Sequence, residues 1–149
     1  MEEKKQPLWT RDFIMIAVIN LFLFWGFQML LPTLPLFAKS LGGSDTMLGW
    51  IVGSATVASL LIRPVSGALL DKMGRKGIFA AGLLIIIAVT LSFGWLPSVG
   101  ALIAVRFLHG IGWGIASTAS STIASDNIPK SRFGEGMGYF SLSSSLAMA

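Results

Sequence analysis

Long apolar runs alternate with short polar gaps along this chain. Residues 13–38 form an uncharged run of 26 positions, and 17 uncharged residues lie between Asp45 and Arg63. A third uncharged run covers the 29 residues at 77–105. Because about 20 apolar residues in a helix cross the hydrocarbon core of a bilayer, this pattern predicts several membrane-spanning helices.

Breaker residues divide these runs into separate helices. The sequence Gly-Trp-Leu-Pro-Ser-Val-Gly at 94–100 cuts the third run, because glycine and proline interrupt helices. The predicted transmembrane helices cover residues 13–38, 46–69, 77–93, 99–124 and 134–149. Polar segments at 1–12, 70–76 and 125–133 precede or connect them.

The fifth predicted helix has no end. The chain stops in the apolar residues 146–149, without a cap, a polar tail or a flanking charge. We therefore expect a fragment of a larger membrane protein, with four and a half helices. A natural small protein with a short last helix is the alternative.

Composition supports lipid as the main solvent of the chain. Charged residues make up 12% of the sequence, against roughly 25% in soluble domains. The sequence has no cysteine and one histidine, which excludes disulfides and Cys-based metal sites and leaves His109 without partners for a metal. The predicted fold class is an all-α integral membrane protein with no catalytic residues and no metal.

The positions of Lys and Arg predict the orientation of the helices. Cytoplasmic loops of membrane proteins are rich in these residues, and here eight of them fall on one side of the predicted topology while Lys39 alone falls on the other. The segments 1–12, 70–76 and 125–133 are therefore predicted to be cytoplasmic. The same distribution accounts for the net charge of +4 without a nucleic-acid partner. The eight residues are Lys4, Lys5, Arg11, Lys72, Arg75, Lys76, Lys130 and Arg132.

The most informative segment is Gly-Ala-Leu-Leu-Asp-Lys-Met-Gly-Arg-Lys at 67–76. Its glycines permit a sharp turn and close approach of two helices. Asp71 is placed to accept hydrogen bonds at the start of the third helix, where a carboxylate also suits the helix dipole. Arg75 lies four residues later, at the spacing of an ion pair. A capped turn with flanking positive charge explains the same residues without a function.

This segment resembles the signature G-x-L-a-D-R-x-G-R-[KR] of the major facilitator superfamily, which lies between the second and third helices of that family. Lys72 replaces the usual arginine, and Leu70 replaces a small residue. The resemblance implies a cytoplasmic gate in which Asp71 and Arg75 help to hold the two halves of a transporter together in its outward-open state. It also implies that the chain is the first four and a half helices of a twelve-helix bundle, whose C-terminal helices supply the gate's partner. The matching residues are Gly67, Leu69, Asp71, Gly74, Arg75 and Lys76.

The fourth predicted helix contains a charge within its span. An ionised side chain at the centre of a membrane helix costs about 2.5–3.5 kcal/mol on insertion scales, so Arg106 is not expected to face lipid. One helix face carries Arg106, Gly110, Trp113, Ser117 and Ser121, a polar and small stripe that suits a cavity or a neighbouring helix. For Gly110 and Gly114 we favour close helix packing. For Arg106 we favour a function, because packing gives no reason to bury a cation.

The run Arg-Phe-Leu-His-Gly-Ile-Gly at 106–112 resembles the family's helix 4 pattern R-x-x-q-G-x-G, which is typical of proton-coupled drug exporters. The resemblance makes Arg106 a candidate for proton coupling. His109 stands where glutamine is common. Two interpretations of His109 remain open, a titrating group and a hydrogen-bonded packing residue.

The first helix adds polar and aromatic candidates for a substrate cavity. Asn20 and Gln28 are amides in an apolar span, and buried amides need partners in hydrocarbon. Trp25 and Trp113 lie near the middle of their helices, at the depth where transporters bind substrates. In the family that the chain resembles, these two helices line the central cavity. Core filling by the aromatic rings is the alternative.

The sequence thus predicts a secondary active transporter that works by alternating access. Proton-coupled efflux of small organic or drug-like molecules is the favoured function, in a bacterial plasma membrane with the N-terminus in the cytoplasm. A sugar or metabolite symporter of the same superfamily is one alternative. A non-transporting small membrane protein that packs against partner helices is another. No enzyme activity and no cofactor are predicted, and the expected partners are a small-molecule substrate, protons and the lipid bilayer.

Overall fold

The structure of the protein, a computed structural model, describes residues 7–149. Lys4 and Lys5, which the charge argument counts, lie outside the described residues. Five α-helices and two 3₁₀ turns form the described part of the chain. The helices are α1 (Arg11–Ser40), α2 (Asp45–Met73), α3 (Arg75–Ser92), α4 (Val99–Asp126) and α5 (Phe133–Met148), with 3₁₀ turns at Phe93–Trp95 and Lys130–Arg132.

Four helical segments are long and apolar enough to cross a membrane. They are α1, α2, α3 with its following 3₁₀ turn, and α4, whose mean hydropathies are 2.1, 1.5, 2.3 and 1.5. Pro32 and Pro35 lie inside α1 without ending it, as membrane helices tolerate. The chain divides into two compact units, Met29–Ala119 (the middle unit) and the described residues up to Gln28 together with Ser120–Ala149 (the terminal unit).

The turn between α1 and α2 follows from a Gly-Gly-Ser sequence. Gly42 adopts a φ of +81°, which favours glycine. The N–H of Gly43 donates to the carbonyl of Ala38 at 2.9 Å and so closes the end of α1. Ser44 then caps α2, since its side chain accepts a hydrogen bond from the N–H of Met47 at 3.4 Å.

The connection between α2 and α3 differs from the loop predicted over 70–76. α2 continues through Met73 and α3 begins at Arg75, so Gly74 is the whole break. Its φ of +88° and ψ of 148° reverse the chain in one residue, which only glycine does at low cost. Continued helix satisfies the backbone polar groups up to that point, as an apolar environment demands.

The role predicted for Asp71 as a cap of α3 is therefore wrong. Asp71 lies in the last turn of α2, and Gly74 takes the position before α3. A carboxylate at the C-terminal end of a helix is unfavourable for the helix dipole. The ion pair with Arg75, described below, compensates for that position.

The buried core of the middle unit lies where the C-terminal end of α1 meets the N-terminal ends of α2 and α4. Phe93, from the 3₁₀ turn after α3, packs into the same cluster and brings that element into the core. Each helix contributes apolar side chains to it, as expected where the helices meet one another rather than solvent. The other buried members are Leu34, Ala38, Ile51, Val99 and Leu102.

Glycines of α4 allow its close approach to α2. A Cβ atom at Gly110 would lie 2.6 Å from the Cα of Ala55, and one at Gly114 would lie 2.8 Å from the carbonyl oxygen of Ser59. Both distances are far shorter than an ordinary van der Waals contact between heavy atoms, about 3.5–4.0 Å. The contacts support the interpretation of Gly110 and Gly114 as a packing seam.

The terminal unit has its own aromatic and apolar contacts. The ring of Trp9 lies 4.8 Å from that of Tyr139 on α5 and 5.8 Å from that of Phe13 on α1. Gly136 of α5 fits against Ile128, where a Cβ would come within 2.7 Å of the Ile128 side chain. These contacts join the start of α1 to α5 and to the segment that precedes it.

Candidate functional site

The structure places the predicted buried charge, Arg106, beside His109 on α4. Both side chains are 1% exposed. Nη1 of Arg106 lies 3.1 Å from Nδ1 of His109, at the i, i+3 spacing that brings side chains together on one helix surface. The ring of Phe93 lies 6.1 Å from the imidazole, centroid to centroid. A cation and an imidazole are thus enclosed within the middle unit.

The rest of the predicted polar stripe on α4 is buried over part of its length. Gly110 and Trp113 are buried beyond Arg106. Ser117 is half-buried and donates a hydrogen bond to the carbonyl of Gly114 at 3.5 Å. Ser121 is exposed. The buried face therefore runs from Arg106 to Trp113, and the structure separates Ser121 from it.

Asn20 is the centre of a buried hydrogen-bond network in the terminal unit. Its Nδ2 donates to Oγ of Ser143 at 2.9 Å, and Oγ of Ser120 donates to its Oδ1 at 3.2 Å. Ser143 in turn donates to the carbonyl of Phe140 at 2.6 Å. The side chain of Asn20 is 2% exposed. One amide of α1 thereby connects α4 and α5.

Ser120 and Ser143 are absent from the residues that the sequence singles out. They lie 100 and 123 positions from Asn20 along the chain. One feature of the sequence indicates such partners. A buried amide requires hydrogen bonds, and serines inside apolar helices are short polar groups that can supply them. That signal indicates the residue type of the partner but not its position.

Trp25 and Gln28 are less enclosed than Asn20. Trp25 is 48% exposed and stacks on Phe22, with ring centroids 6.1 Å apart and an angle of 18° between the planes. Gln28 is half-buried. Asn20, Trp25 and Gln28 are the three candidates in α1, and of these three described residues only Asn20 is buried.

The segment at 67–76 brings its two predicted gate residues together. Oδ1 of Asp71 and Nη1 of Arg75 are 3.8 Å apart, across the break at Gly74. Nη1 of Arg75 also donates to the carbonyl of Leu70 at 3.5 Å. The side chain of Asp71 is 78% exposed, so the pair itself contributes only about 0.2–1 kcal/mol. Gly67 is half-buried, while Lys72 and Lys76 are exposed.

The connection between α4 and α5 carries a second ion pair. Arg132 donates from Nε and Nη2 to the two carboxylate oxygens of Glu135, at 2.8 and 2.6 Å. The hydrogen bond to Glu135 raises the pKa of Arg132, because it stabilises the charged form. The carboxylate of Glu135 thus balances the charge of Arg132 at the start of α5, and Lys130 nearby in the sequence is exposed.

Two open clefts are lined by residues other than Arg106 and His109. The cleft in the middle unit has a volume of about 570 Å³ and runs between α2 and α4. The cleft in the terminal unit, of about 690 Å³, lies where α4 meets the segment before α5. Among residues 7–149, no three His, Cys, Asp or Glu side chains cluster in a way that holds a metal ion. The first cleft is lined by Thr46, Gly49, Trp50, Gly53, Ser54, Val57, Ile103 and Phe107.

Comparison with known proteins agrees with an all-helical membrane protein. The sequence profile of the Major Facilitator Superfamily matches residues 16–149. The chain belongs to this superfamily, which is a family of membrane transporters rather than enzymes. Its apolar helices and its family together make it part of an integral, multi-pass membrane protein.

Two relatives show which members the chain is similar to. It is 28% identical over 129 residues to the quinolone resistance protein NorA of Staphylococcus aureus, which covers 86% of this chain and 33% of the relative. It is 37% identical over 120 residues to the MFS-type transporter SLC18B1 of Mus musculus, covering 76% of this chain and 26% of the relative. The chain thus spans a third or less of the length of these relatives.

Proposed function

We propose that this chain is the first four and a half helices of a twelve-helix transporter that exports small organic molecules in exchange for protons. Membership of the superfamily supports transport, and the similarity to a protein named for quinolone resistance supports export of drug-like compounds. Alternating access is the mechanism, with the missing helices forming the other half of the pathway.

The observation that carries the proposal is the burial of Arg106 in a membrane-spanning helix. A guanidinium remains charged in proteins, so its burial has to be compensated by a partner or by a function. Arg106 lies seven residues after Val99, the first residue of α4, which is about 10 Å along the helix. In an exporter that exchanges substrate for protons, a fixed cation at that depth raises the energy of nearby positive charge and so links proton release to substrate binding.

The gate proposal rests on Asp71, Arg75 and the single-residue break at Gly74. The exposed carboxylate of Asp71 and the half-exposed guanidinium of Arg75 lie where α2 meets α3, and a helix from the other half of the transporter can reach them there. Their local ion pair is then exchanged for contacts across the halves when the outside opens. Lys72 and Lys76 contribute positive charge on the same side.

The substrate proposal keeps Trp25 and Gln28 of α1, and Trp113 and His109 of α4, as candidates for contact with substrate. Aromatic rings with few polar groups suit an amphipathic or cationic organic molecule. Trp25 offers an exposed ring for this purpose. Asn20 takes a different part, since its amide is already hydrogen-bonded to Ser120 of α4 and Ser143 of α5.

The proposed orientation places the N-terminus and the α2–α3 and α4–α5 connections in the cytoplasm of a bacterial cell. The chain has no cysteine, so Lys76→Cys and Lys39→Cys place one reactive thiol at each predicted face. A membrane-impermeant maleimide added to intact cells is expected to label Lys39→Cys and to spare Lys76→Cys. The reverse labelling contradicts the orientation.

Transport is tested with the full-length protein in proteoliposomes and with ethidium as a fluorescent cationic probe. An imposed proton gradient is expected to drive ethidium movement opposite to the protons, and Arg106→Ala is expected to abolish that coupling. Arg132→Ala is the matched control, because it removes an arginine that lies outside the membrane-spanning helices and is paired with Glu135. If the gradient drives no flux, or if Arg106→Ala behaves like the control, the coupling role of Arg106 is wrong.

The same assay separates the alternatives. Movement of substrate with the protons, tested with a sugar or metabolite, indicates a symporter. Absence of flux for every probe, in a protein that is correctly inserted, favours a membrane protein that packs against partner helices without transporting.

A further inference from the structure

The contact between Arg106 and His109 specifies the protonation state of the imidazole. A guanidinium has only N–H groups and cannot accept a hydrogen bond. Nδ1 of His109, which lies 3.1 Å from Nη1 of Arg106, therefore has to be the acceptor. Nδ1 accepts only when it carries no proton, so the imidazole is neutral with its proton on Nε2.

Protonation of His109 and this contact exclude each other. A proton that adds to the lone pair of Nδ1 forms an N–H bond, removes the acceptor and places a second positive charge against the guanidinium. Both side chains are buried, and the repulsion between like charges is poorly screened away from water. The proton comes from water on one side of the membrane and returns to water when the imidazole is neutral again.

On this basis we propose that His109 is a positioning residue for Arg106 in the transport cycle. Neutral His109 holds the guanidinium along α4, and protonated His109 releases it toward the substrate pathway. The inference rests on the proposed function and adds to it a side chain whose protonation and whose contact with Arg106 exclude each other. Glutamine, common at this position in the resembling pattern, provides an acceptor that does not take up a proton.

The surroundings of His109 supply an aromatic ring and a backbone contact, with Arg106 as the cation that faces it. Phe93 approaches from the 3₁₀ turn after α3, and Gly110 brings the backbone of α2 alongside at Ala55. The charged side chains of α1, α2 and α3 are exposed or half-exposed. They are Arg11, Asp12 and Lys39 of α1, Asp45, Arg63, Asp71 and Lys72 of α2, and Arg75 and Lys76 of α3.

The first test measures the protonation state without transport. The full-length protein is labelled with ¹⁵N-histidine in lipid nanodiscs, and the resonance that His109→Gln removes belongs to His109. We expect an unprotonated Nδ1 and a protonated Nε2 at neutral pH, and protonation of Nδ1 in acid. In Arg106→Ala we expect a larger share of the tautomer with its proton on Nδ1, because Arg106 no longer donates to that nitrogen. The proposal is overturned if Nδ1 carries a proton at neutral pH, or if the tautomer populations of His109 are the same in Arg106→Ala as in the wild type.

The second test measures the pH profile of ethidium flux at equal pH on both sides of the membrane. Each variant's flux is expressed relative to its own rate at pH 7.5. We expect flux of the wild type to fall in acid and the profile of His109→Gln to lose this fall. His109→Leu lacks an acceptor. Its absolute rate of ethidium flux at pH 7.5, before normalisation, is expected to lie at least about tenfold below that of His109→Gln. Leu108→Met, at the exposed neighbouring position, is the control. Its flux should fall at low pH as that of the wild type does, and this fall is called the acid limb.

The outcomes separate this inference from the proposed function. An acid limb that persists in His109→Gln, or equal rates for His109→Gln and His109→Leu, overturns the role of His109 even when transport is proton-coupled. If no variant moves ethidium while the ¹⁵N signals follow the expected pattern, the export proposal fails for this probe and the pairing of His109 with Arg106 stands.

Discussion

The side-chain amide of Asn20 in α1 donates a 2.9 Å hydrogen bond to the hydroxyl of Ser143 in α5, across 123 positions of the chain. Both side chains are buried, and Ser120 of α4 donates to the oxygen of the same amide. Polar cross-links of this kind orient membrane helices whose apolar faces are otherwise interchangeable, because lipid tails are as apolar as the helix surfaces.

We predict that Asn20→Ala lowers the stability of the full-length protein by about 1–2 kcal/mol, since it removes two interhelical hydrogen bonds of the strength usual in membrane proteins. The measurement is denaturant unfolding in detergent micelles, with Ser143→Ala and the double variant completing a cycle. Ser144→Ala is the matched control, because that hydroxyl bonds to the carbonyl of Ser141 within α5. Additive effects of Asn20→Ala and Ser143→Ala contradict a direct interaction.

Gly110→Ala is predicted to destabilise the protein by about 1–3 kcal/mol, the usual cost of inserting a methyl group into a filled interior. The new Cβ would meet the backbone of Ala55, which belongs to a helix and cannot move aside like a flexible side chain. Thermal unfolding of both variants measures the effect. Gly100→Ala in the same helix has open space at its Cβ, so it is expected to be neutral or stabilising. Equal shifts for the two variants disprove the seam.

Gly74→Ala is predicted to cost about 1–3 kcal/mol, because a residue with a side chain is strained in that backbone conformation. The φ of +88° is the reason, since no atom crowds the position within 4 Å. Gly77→Ala lies three residues away, inside α3, with equally open space and without a positive φ. Circular dichroism during heating measures both, and a tolerant Gly74→Ala shows that the break does not need glycine.

For Asp71→Asn we predict a small change in stability, below about 0.5 kcal/mol, because an exposed i, i+4 ion pair contributes little. Ethidium flux is nevertheless expected to fall at least about tenfold, a change of about 1.4 kcal/mol in the barrier, if the carboxylate acts in the gate. Asp45→Asn is the control, since Asp45 also forms an exposed ion pair, with Lys39 at 3.6 Å. A loss of flux shared by both variants points to a general effect of surface charge.

Local chemistry explains how much of the fold is readable along the chain. The uncharged runs and the Gly-Gly-Ser turn at 42–44 predict helices and a reversal because each signal acts within a few residues. The connection at 70–76 was the exception. Its glycines and charges indicate a loop in water, whereas a helix that satisfies its own backbone continues until Gly74 makes the break.

The candidate site divides along the same line. The spacing of Arg106 and His109 places them on one face of a helix, and the cost of a charge in a membrane predicts the burial of Arg106. The direction of the hydrogen bond between them, and with it the tautomer of His109, requires the distance between two particular nitrogens. Phe93 joins the site only because the turn after α3 packs against α4.

The sequence by itself determined the class of this protein, because the signals for it are local. They are apolar runs long enough to cross a bilayer and a motif of contiguous residues. It also determined which residues are costly to bury. Only the tertiary structure decided which partners meet that cost, since Asn20, Ser120 and Ser143 come together through the packing of three helices. Hydrophobicity orients a helix face toward its neighbours, whereas the register between two helices depends on the shapes and hydrogen bonds of particular side chains.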